Sequence, residues 1–382
     1  MLKYTSPATP SPHRSRILSG LKIPLVATLL FLSACSATLV QQNTDKNIAV
    51  LFLGDSHFGE SYGKKVENRY AMDAFQPLLL ASDFTIANLE TPLTNMSVSP
   101  LAGTKDYIHR SDPEKAASTF KKYGFDAFSL GNNHTMDYGW KGLQETLTTL
   151  ENAGFSSFGA GETAAQAATP LFQQIPLNDG SKKMLSLAVF GGFEYRPSYE
   201  NHDFYAAEKP EAAGVNPITQ EHTLLSIKEF RAKNPDAFIV IFPHWGENYA
   251  MKSAQQQQWG HAFLDAGADL IIGQGAHLFQ EIEDYKGKWI VYGLGNFIFQ
   301  APGRYQKMHV EPYSVIARLL ASASSRTLRL YPIFSDNLVT DYHSRFVTQS
   351  EWSQLVNRAD LHPLTNGKDA FGYYFQLSVG QQ

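Results

Sequence analysis

The stretch "SLGNNHTMDYG", residues 129–139, follows the apolar run Phe125–Leu130 and packs two asparagines, a histidine and an aspartate into six positions. Two readings fit it. One is a helix N-cap behind a turn glycine. The other is a set of oxygen and nitrogen donors delivered to the mouth of a strand. The rest of the chain separates them.

Working outward, the same design recurs. Apolar, β-branched or aromatic runs end abruptly in small polar or donor residues: "IAVLFLGDSHFG" (48–59), "DFTIANLE" (83–90), "FDAFSLGNNH" (125–134), "DAFIVIFPHWG" (236–246), "ADLIIGQGAH" (268–277) and "WIVYGLGNF" (289–297). Helical patterns over 70–81, 113–123, 140–153, 219–233 and 253–266 separate or flank them. Strands alternating with helices of this length predict an α/β fold with a largely parallel sheet, and unbroken apolar runs such as "FIVIF" suit strands covered on both faces. The C-terminal part differs. Residues 313–335 alternate and turn at Ser324–Ser325 like a hairpin, and 371–379 reads as one more strand. These are expected to form a second, mixed or antiparallel sheet packed on the first.

In open α/β sheets, ligands sit outside the carboxyl ends of the strands. Those ends carry Asp55, His57, Glu90, Asn133, His134, His244 and His277, so four of the twelve histidines fall there. A single strand-end histidine is ordinarily a capped structural residue. Four of them with two carboxylates converge when something at the focus needs nitrogen and oxygen ligands. Asp55 and His57, two apart on an extended segment, point to the same side and chelate one divalent ion. Glu90 bridges two, Asn133 offers an amide oxygen, and His244 and His277 supply nitrogens. Mixed ligation of this kind suits one or two ions of Mn, Zn or Fe, and a pair stands about 3.5–4 Å apart in two-metal hydrolytic sites. His134 is then free to protonate a leaving oxygen. Asp137 either orients that imidazole or caps the next helix.

A formal charge of −4 and 18% charged residues give no electrostatic reason to expect nucleic acid. The first 22 residues carry Lys3, Arg14, Arg16 and Lys22 and no acid, and are followed by the apolar run Ile23–Leu32 and then Ser33-Ala34-Cys35. That is a secretory signal layout, and it resembles a bacterial lipobox closing on the sole cysteine. The expected organisation is a signal peptide over 1–34, a lipidated tether over 35–47, and one domain over 48–382. Within that domain lie a motif-bearing core (48–300) and a β-rich end (301–382). Cys35 would hold the protein to a membrane; because Ser36 is not aspartate, the resemblance favours the outer membrane, facing the periplasm.

The motifs "NLETPLT", "GNNHTMDYG", "HWGENY", "GAHLFQ" and "YGLGNFIF" resemble, in order and spacing over 48–300, the CapA capsule-synthesis or poly-γ-glutamate biosynthesis family. That family is related to the calcineurin-like metallophosphoesterases. The resemblance implies a metallophosphoesterase-like four-layer sandwich of two β-sheets flanked by helices. It also implies metal ligation by Asp55, His57, Glu90, Asn133, His244 and His277, catalysis by His134, an anionic exopolymer or phosphoester substrate, and a polymer synthase or export complex as partner. Two departures stand out. Asn248 occupies a position where a glutamate is usual, with Glu247 one place early. In "GQGAH", Gln274 and Gly275 replace histidines. A metal-dependent hydrolase, a non-catalytic accessory protein of polymer export and a metal-scaffolded binding lipoprotein are the alternatives. Asn88 and Asn296 read equally as supports for ligands or as turn residues. Arg196 in "GGFEYRPSY" (191–199) is placed to meet a polyanion or sugar, Trp245 reads as a packing lid, and "GRYQK" (303–307) as a solvated loop.

Overall fold

The strand Ile48–Ser56 is buried along its whole length, and its side chains divide by parity. Ile48, Val50 and Phe52 enter one core, Leu51 and Leu53 another, as the period of two requires. The strand Phe238–His244 divides likewise. Phe238, Val240 and Phe242 join the core of Ile48 and Phe52, while Ile239 and Ile241 turn to a third with Phe190 and Ile271. Two sheets therefore face one another across the central core. Outside the first lie the helices Pro113–Tyr123 and Gly139–Asn152, through Ala116, Phe120, Leu143 and Leu150. Outside the second lie Gln220–Lys233 and Ala254–Asp265, through Ile227, Phe263 and Leu264. This is the four-layer α/β sandwich that the resemblance implied. The computed structural model describes residues 47–58, 72–206 and 213–380. The signal segment, Cys35 and the tether up to residue 46 lie outside the described residues.

Among these residues the first sheet has ten strands and the second seven. The distribution of strands differs from the expectation in two respects. The six runs do not share one sheet: Ile48–Ser56, Phe84–Leu89 and Ala127–Ser129 are parallel neighbours in the first, whereas Phe238–His244, Leu270–Ile272 and Lys288–Val291 lie side by side in the second. Nor does the C-terminal hairpin found a sheet of its own. Tyr313–Ala321 pairs antiparallel with Ile48–Phe52, Ile48 opposite Ala321, and continues the first sheet through Arg326–Phe334 and Tyr373–Ser378. Backbone donors and acceptors are alike on every strand edge, so periodicity predicts a strand without predicting its neighbour.

The run "WIVYGLGNF" carries the chain from one sheet to the other. Lys288–Val291 belongs to the second sheet, and Asn296–Ile298 pairs with Asp55 and Ser56 in the first. Glycines make this crossing possible. A Cβ on Gly54 would stand 1.9 Å from the Gly295 carbonyl oxygen, and Gly295, at φ +76°, would press one within 2.5 Å of Ser314 Oγ. The four longer helices fall within a residue of their expected bounds, and Pro113–Tyr123 is set by the Asp112 cap on the Lys115 N–H (3.0 Å) and left-handed Gly124. Of the pattern over 70–81, the described residues 72–81 form helix at Gln76–Leu80, with Pro77 in its first turn.

Candidate metal centre

The strand ends of both sheets meet at one buried point. Asp55 comes from the first strand, Glu90 directly follows the second, His244 ends Phe238–His244, and His277 lies in the loop after Leu270–Ile272. Asp55, Glu90 and His277 each place a ligand atom within 4.8 Å of the others. Glu90 Oε1 is the focus: His277 Nε2 stands 3.8 Å away, His244 Nε2 3.9 Å and His134 Nε2 4.0 Å. That oxygen is fully buried and, among the described residues, has no hydrogen-bond partner. Ligands about 2.0–2.2 Å from one ion stand roughly 3–4 Å from each other, so the spacing and the orphaned oxygen both fit a divalent cation, and the mixed donor set suits Mn, Zn or Fe.

Neutral side chains hold these donors. Asn88 Nδ2 donates to Asp55 Oδ1 at 2.9 Å and lies 3.4 Å from Glu90 Oε2 and 3.3 Å from His244 Nδ1. Its own Oδ1 accepts from Asn132 Nδ2 at 2.9 Å. Asn296 Oδ1 meets His277 Nδ1 at 2.9 Å, and Tyr305 hydroxyl donates to the His277 carbonyl at 3.0 Å. Asn88 and Asn296 are thus supports of the centre rather than plain turn residues. His277 and Tyr249 both adopt left-handed backbone, φ +60° and +59°, a conformation costly to β-carbon-bearing residues and concentrated at functional sites.

The opening stretch resolves on Asp137. Its carboxylate is fully buried: Oδ2 meets His134 Nδ1 at 2.8 Å and accepts the His109 N–H at 2.6 Å, while Oδ1 takes Lys105 Nζ. It does not cap the following helix, whose N-cap, Tyr138, makes no side-chain cap bond. Asn132 Oδ1 instead closes the turn by accepting from His134 N–H and Thr135 Oγ1. The Asp137 contact orients the His134 ring so that Nε2 faces Glu90.

Other expected residues stand differently. Asn133 is half-buried on the cavity wall with an unpartnered, buried Oδ1; the asparagine woven into the hydrogen-bond network is Asn132. His57 lies outside the Asp55–Glu90–His277 triangle, its ring against His109 (4.1 Å) and Phe299 (5.5 Å) and its buried Nδ1 without a partner among the described residues. His109 continues the column to His134 at 3.9 Å. His109 and Lys105 carried no signal in the sequence, because they come from an irregular loop without a motif. Gln274 is fully buried with an orphaned Oε1. Gly275, at φ +99°, leaves no room for any side chain: a Cβ would stand 2.8 Å from the His244 ring. Its amide donates to both Asp55 oxygens at 3.2 Å. Trp245 is no lid; it is buried in the outer core with Nε1 on the Tyr292 carbonyl at 2.8 Å. Arg196 is tied to Glu194 (3.1 Å), the Gly246 carbonyl (2.6 Å) and Glu247 (3.6 Å). The "GRYQK" segment is not merely solvated: Tyr305 is buried and Arg304 lines the cavity above the centre.

Electrostatics follow from burial. It takes His57 down to about 4 and His244 to about 3, and holds His134 well below the usual imidazole range with help from Lys105. Near neutral pH the His57 and His244 rings therefore carry free lone pairs, the form that ligates. Burial and then the Asp55 carboxylate push Glu90 well above the ordinary range. Burial also pushes Asp55 up, but His277 by hydrogen bond and charge, with His244, brings it below its usual value.

Two facing sheets flanked by helices, with carboxylates and imidazoles gathered at strand ends from both, define a four-layer α/β sandwich that carries a candidate metal centre. Residues 49–301 match the bacterial capsule synthesis protein PGA_cap family, and the chain belongs to it. It is 30% identical over 285 residues to the PGA biosynthesis protein CapA of Bacillus subtilis, covering 72% of this chain and 71% of that one. It is 28% identical over 287 residues to the capsule biosynthesis protein CapA of Bacillus anthracis, with 72% and 67% covered. A probable polyglutamine synthesis accessory protein of Mycobacterium tuberculosis is 24% identical over 282 residues, with 71% and 70% covered. Among solved structures, a Mycoplasma pneumoniae phosphatase superposes with a TM-score of 0.41 at 13% identity, covering 79% of this chain and 91% of its own. A yellow lupin purple acid phosphatase gives 0.33 at 11%, with 79% and 54% covered.

Proposed function

We propose that this chain is an envelope lipoprotein of capsule or exopolymer synthesis. In this reading it acts on a poly-γ-glutamate-like or other anionic polymer through a centre that binds one or two divalent transition ions and hydrolyses its substrate. The observation that carries the reading is Glu90 Oε1, buried, unpartnered and ringed by three imidazole nitrogens. Asp55, Glu90, His244 and His277 would hold the metal at the focus, and His57 and Asn133, at its edge, would complete the donor set. A bound divalent ion supplies Lewis acidity to an ester, phosphoryl or amide oxygen. His134, oriented by Asp137, delivers the proton to the leaving group, and Lys105 keeps Asp137 in place. The relatives' printed roles in capsule and polyglutamine synthesis support the polymer assignment and a synthase or export complex as partner. The signal-like N-terminus and Cys35 support a lipid anchor, in the outer membrane facing the periplasm.

Elemental mass spectrometry on the chain from Ser36 onward, purified without chelators or a His-tag, tests the centre. One or two transition ions per chain is the expected result. None, even after reconstitution with Mn or Zn, overturns it. Gly275 favours a second reading, in which the site binds metal and polymer without turnover, because no histidine fits where the family often has one. Stoichiometric metal with polymer bound and unhydrolysed would decide for that reading.

A further inference from the structure

A cavity of about 560 Å³ has His134 and His277 in its wall, together with Lys105, Tyr107, Tyr249 and Arg304. Among the described residues, two cations near the centre are neutralised. Lys105 is bound to Asp137, and Arg196 to Glu194 and Glu247. Arg304 is not. Among the described residues it forms no ion pair, not even with Asp106 on the same wall, and its Nη2 donates only to the Tyr107 hydroxyl. The guanidinium sits 5.3 Å over the Tyr107 ring, which is 58% exposed. A half-buried cation that faces a cavity without a counter-charge forgoes its strongest available interaction, and its planar fork matches a carboxylate or phosphate.

Arg304 is also held in register with the centre. Its chain neighbour Tyr305 is buried, with its hydroxyl on the His277 carbonyl (3.0 Å), accepting from Asn296 Nδ2 (3.0 Å) and beside Ser335 Oγ (2.8 Å). The helix Arg304–Met308 is thus locked to the backbone of a candidate ligand, and a group placed on rigid supports positions a substrate better than one on a free loop.

We propose that Arg304, braced by Tyr107, is the subsite that grips an anionic oxygen group of the substrate at the cavity wall while the reacting bond faces His134. This rests on the polymer-processing reading above and names the residue that recognises the polymer's charge. The test is equilibrium binding, at low salt, of three probes to the intact lipid-free chain: a γ-linked glutamate octamer, the same octamer with its α-carboxylates amidated, and a glycerol-phosphate oligomer. Arg304→Gln is expected to weaken the octamer or the phosphate oligomer about tenfold, the worth of one charge-assisted hydrogen-bonded contact, and to leave the amidated probe unchanged. Whichever anion responds names the source. Arg304→Lys, which keeps the charge but loses the fork, is expected to recover part of the loss. Equal affinities of wild type and Arg304→Gln for both anions overturn the proposal. Metal content, measured on the same samples, is expected to be unaffected by either variant. Its absence from the wild type would defeat the metal centre while leaving the Arg304 comparison readable.

Discussion

Asp55 and His244 arrive from opposite sheets, 3.8 Å apart at Oδ1 and Nδ1. Removing either takes a donor from the focus, so Asp55→Ala and His244→Ala are expected to lose most bound metal by elemental analysis; unchanged stoichiometry in both would refute their assignment as ligands. His134→Ala is expected to keep the metal and lose turnover about 10²–10⁴-fold, the usual worth of a general acid. Gly275 makes a sharper case. From the motif alone, Gly275→His looks like a repair. The structure predicts damage, since a side chain there strikes the His244 ring from a left-handed backbone. A loss of about 1–3 kcal/mol in urea unfolding, as for overpacked sites, together with lower metal content is expected, and a gain in metal would contradict the geometry. Asp55, His244 and His277 were legible in the sequence because each ends an apolar run. Asn132, His109 and Lys105 were not, because adjacent asparagines differ only in which way the turn points them, and loop residues follow no period.

The helix Gln349–Leu355 opens with a capping box in which Thr348 Oγ1 accepts from the Glu351 N–H and the Glu351 carboxylate accepts from the Thr348 N–H at 2.7 Å. Glu351 also takes two hydrogen bonds from Arg345, each 2.8 Å. Arg345 foremost, against some burial and with Thr348, lowers Glu351 from 4.5 to about 2. A carboxyl depressed on folding stabilises the protein fully above its unfolded value, and that contribution disappears as the pH falls from 4.5 toward 2. The pair lies partly exposed at the surface, so its worth is discounted to about 0.5–1 kcal/mol. Glu351→Gln is expected to cost that much in urea unfolding near neutrality and nothing once wild-type Glu351 is itself protonated. A cost that persists in acid would assign it to packing. Capping chemistry of this kind is local, which is why Pro113–Tyr123, Gln220–Lys233 and Ala254–Asp265, opened by Asp112, Thr219 and Ser253, fall within a residue of their expected bounds.

Across the whole molecule, the central core carries the alignment of the centre. Phe52 and Phe242, ring centroids 5.7 Å apart, pack the first sheet against the second. Asp55 follows Phe52 by three residues, and His244 follows Phe242 by two. Phe52→Ala is expected to cost about 3–5 kcal/mol and also to weaken metal binding, because one sheet then shifts against the other; full metal affinity in a destabilised protein would show the halves of the site to be independently held. By itself the sequence determined the strands, the longer helices, the family and the donors at the strand ends, since each is written in local periodicity, capping or short motifs. Only the tertiary structure decided that the six runs split between two sheets, that the C-terminal hairpin extends the first, that Asn132 rather than Asn133 enters the network, and that Arg304 faces the cavity. Those outcomes depend on which strand edges meet and where the chain crosses between sheets, and strand edges offer the same backbone groups whatever the side chains.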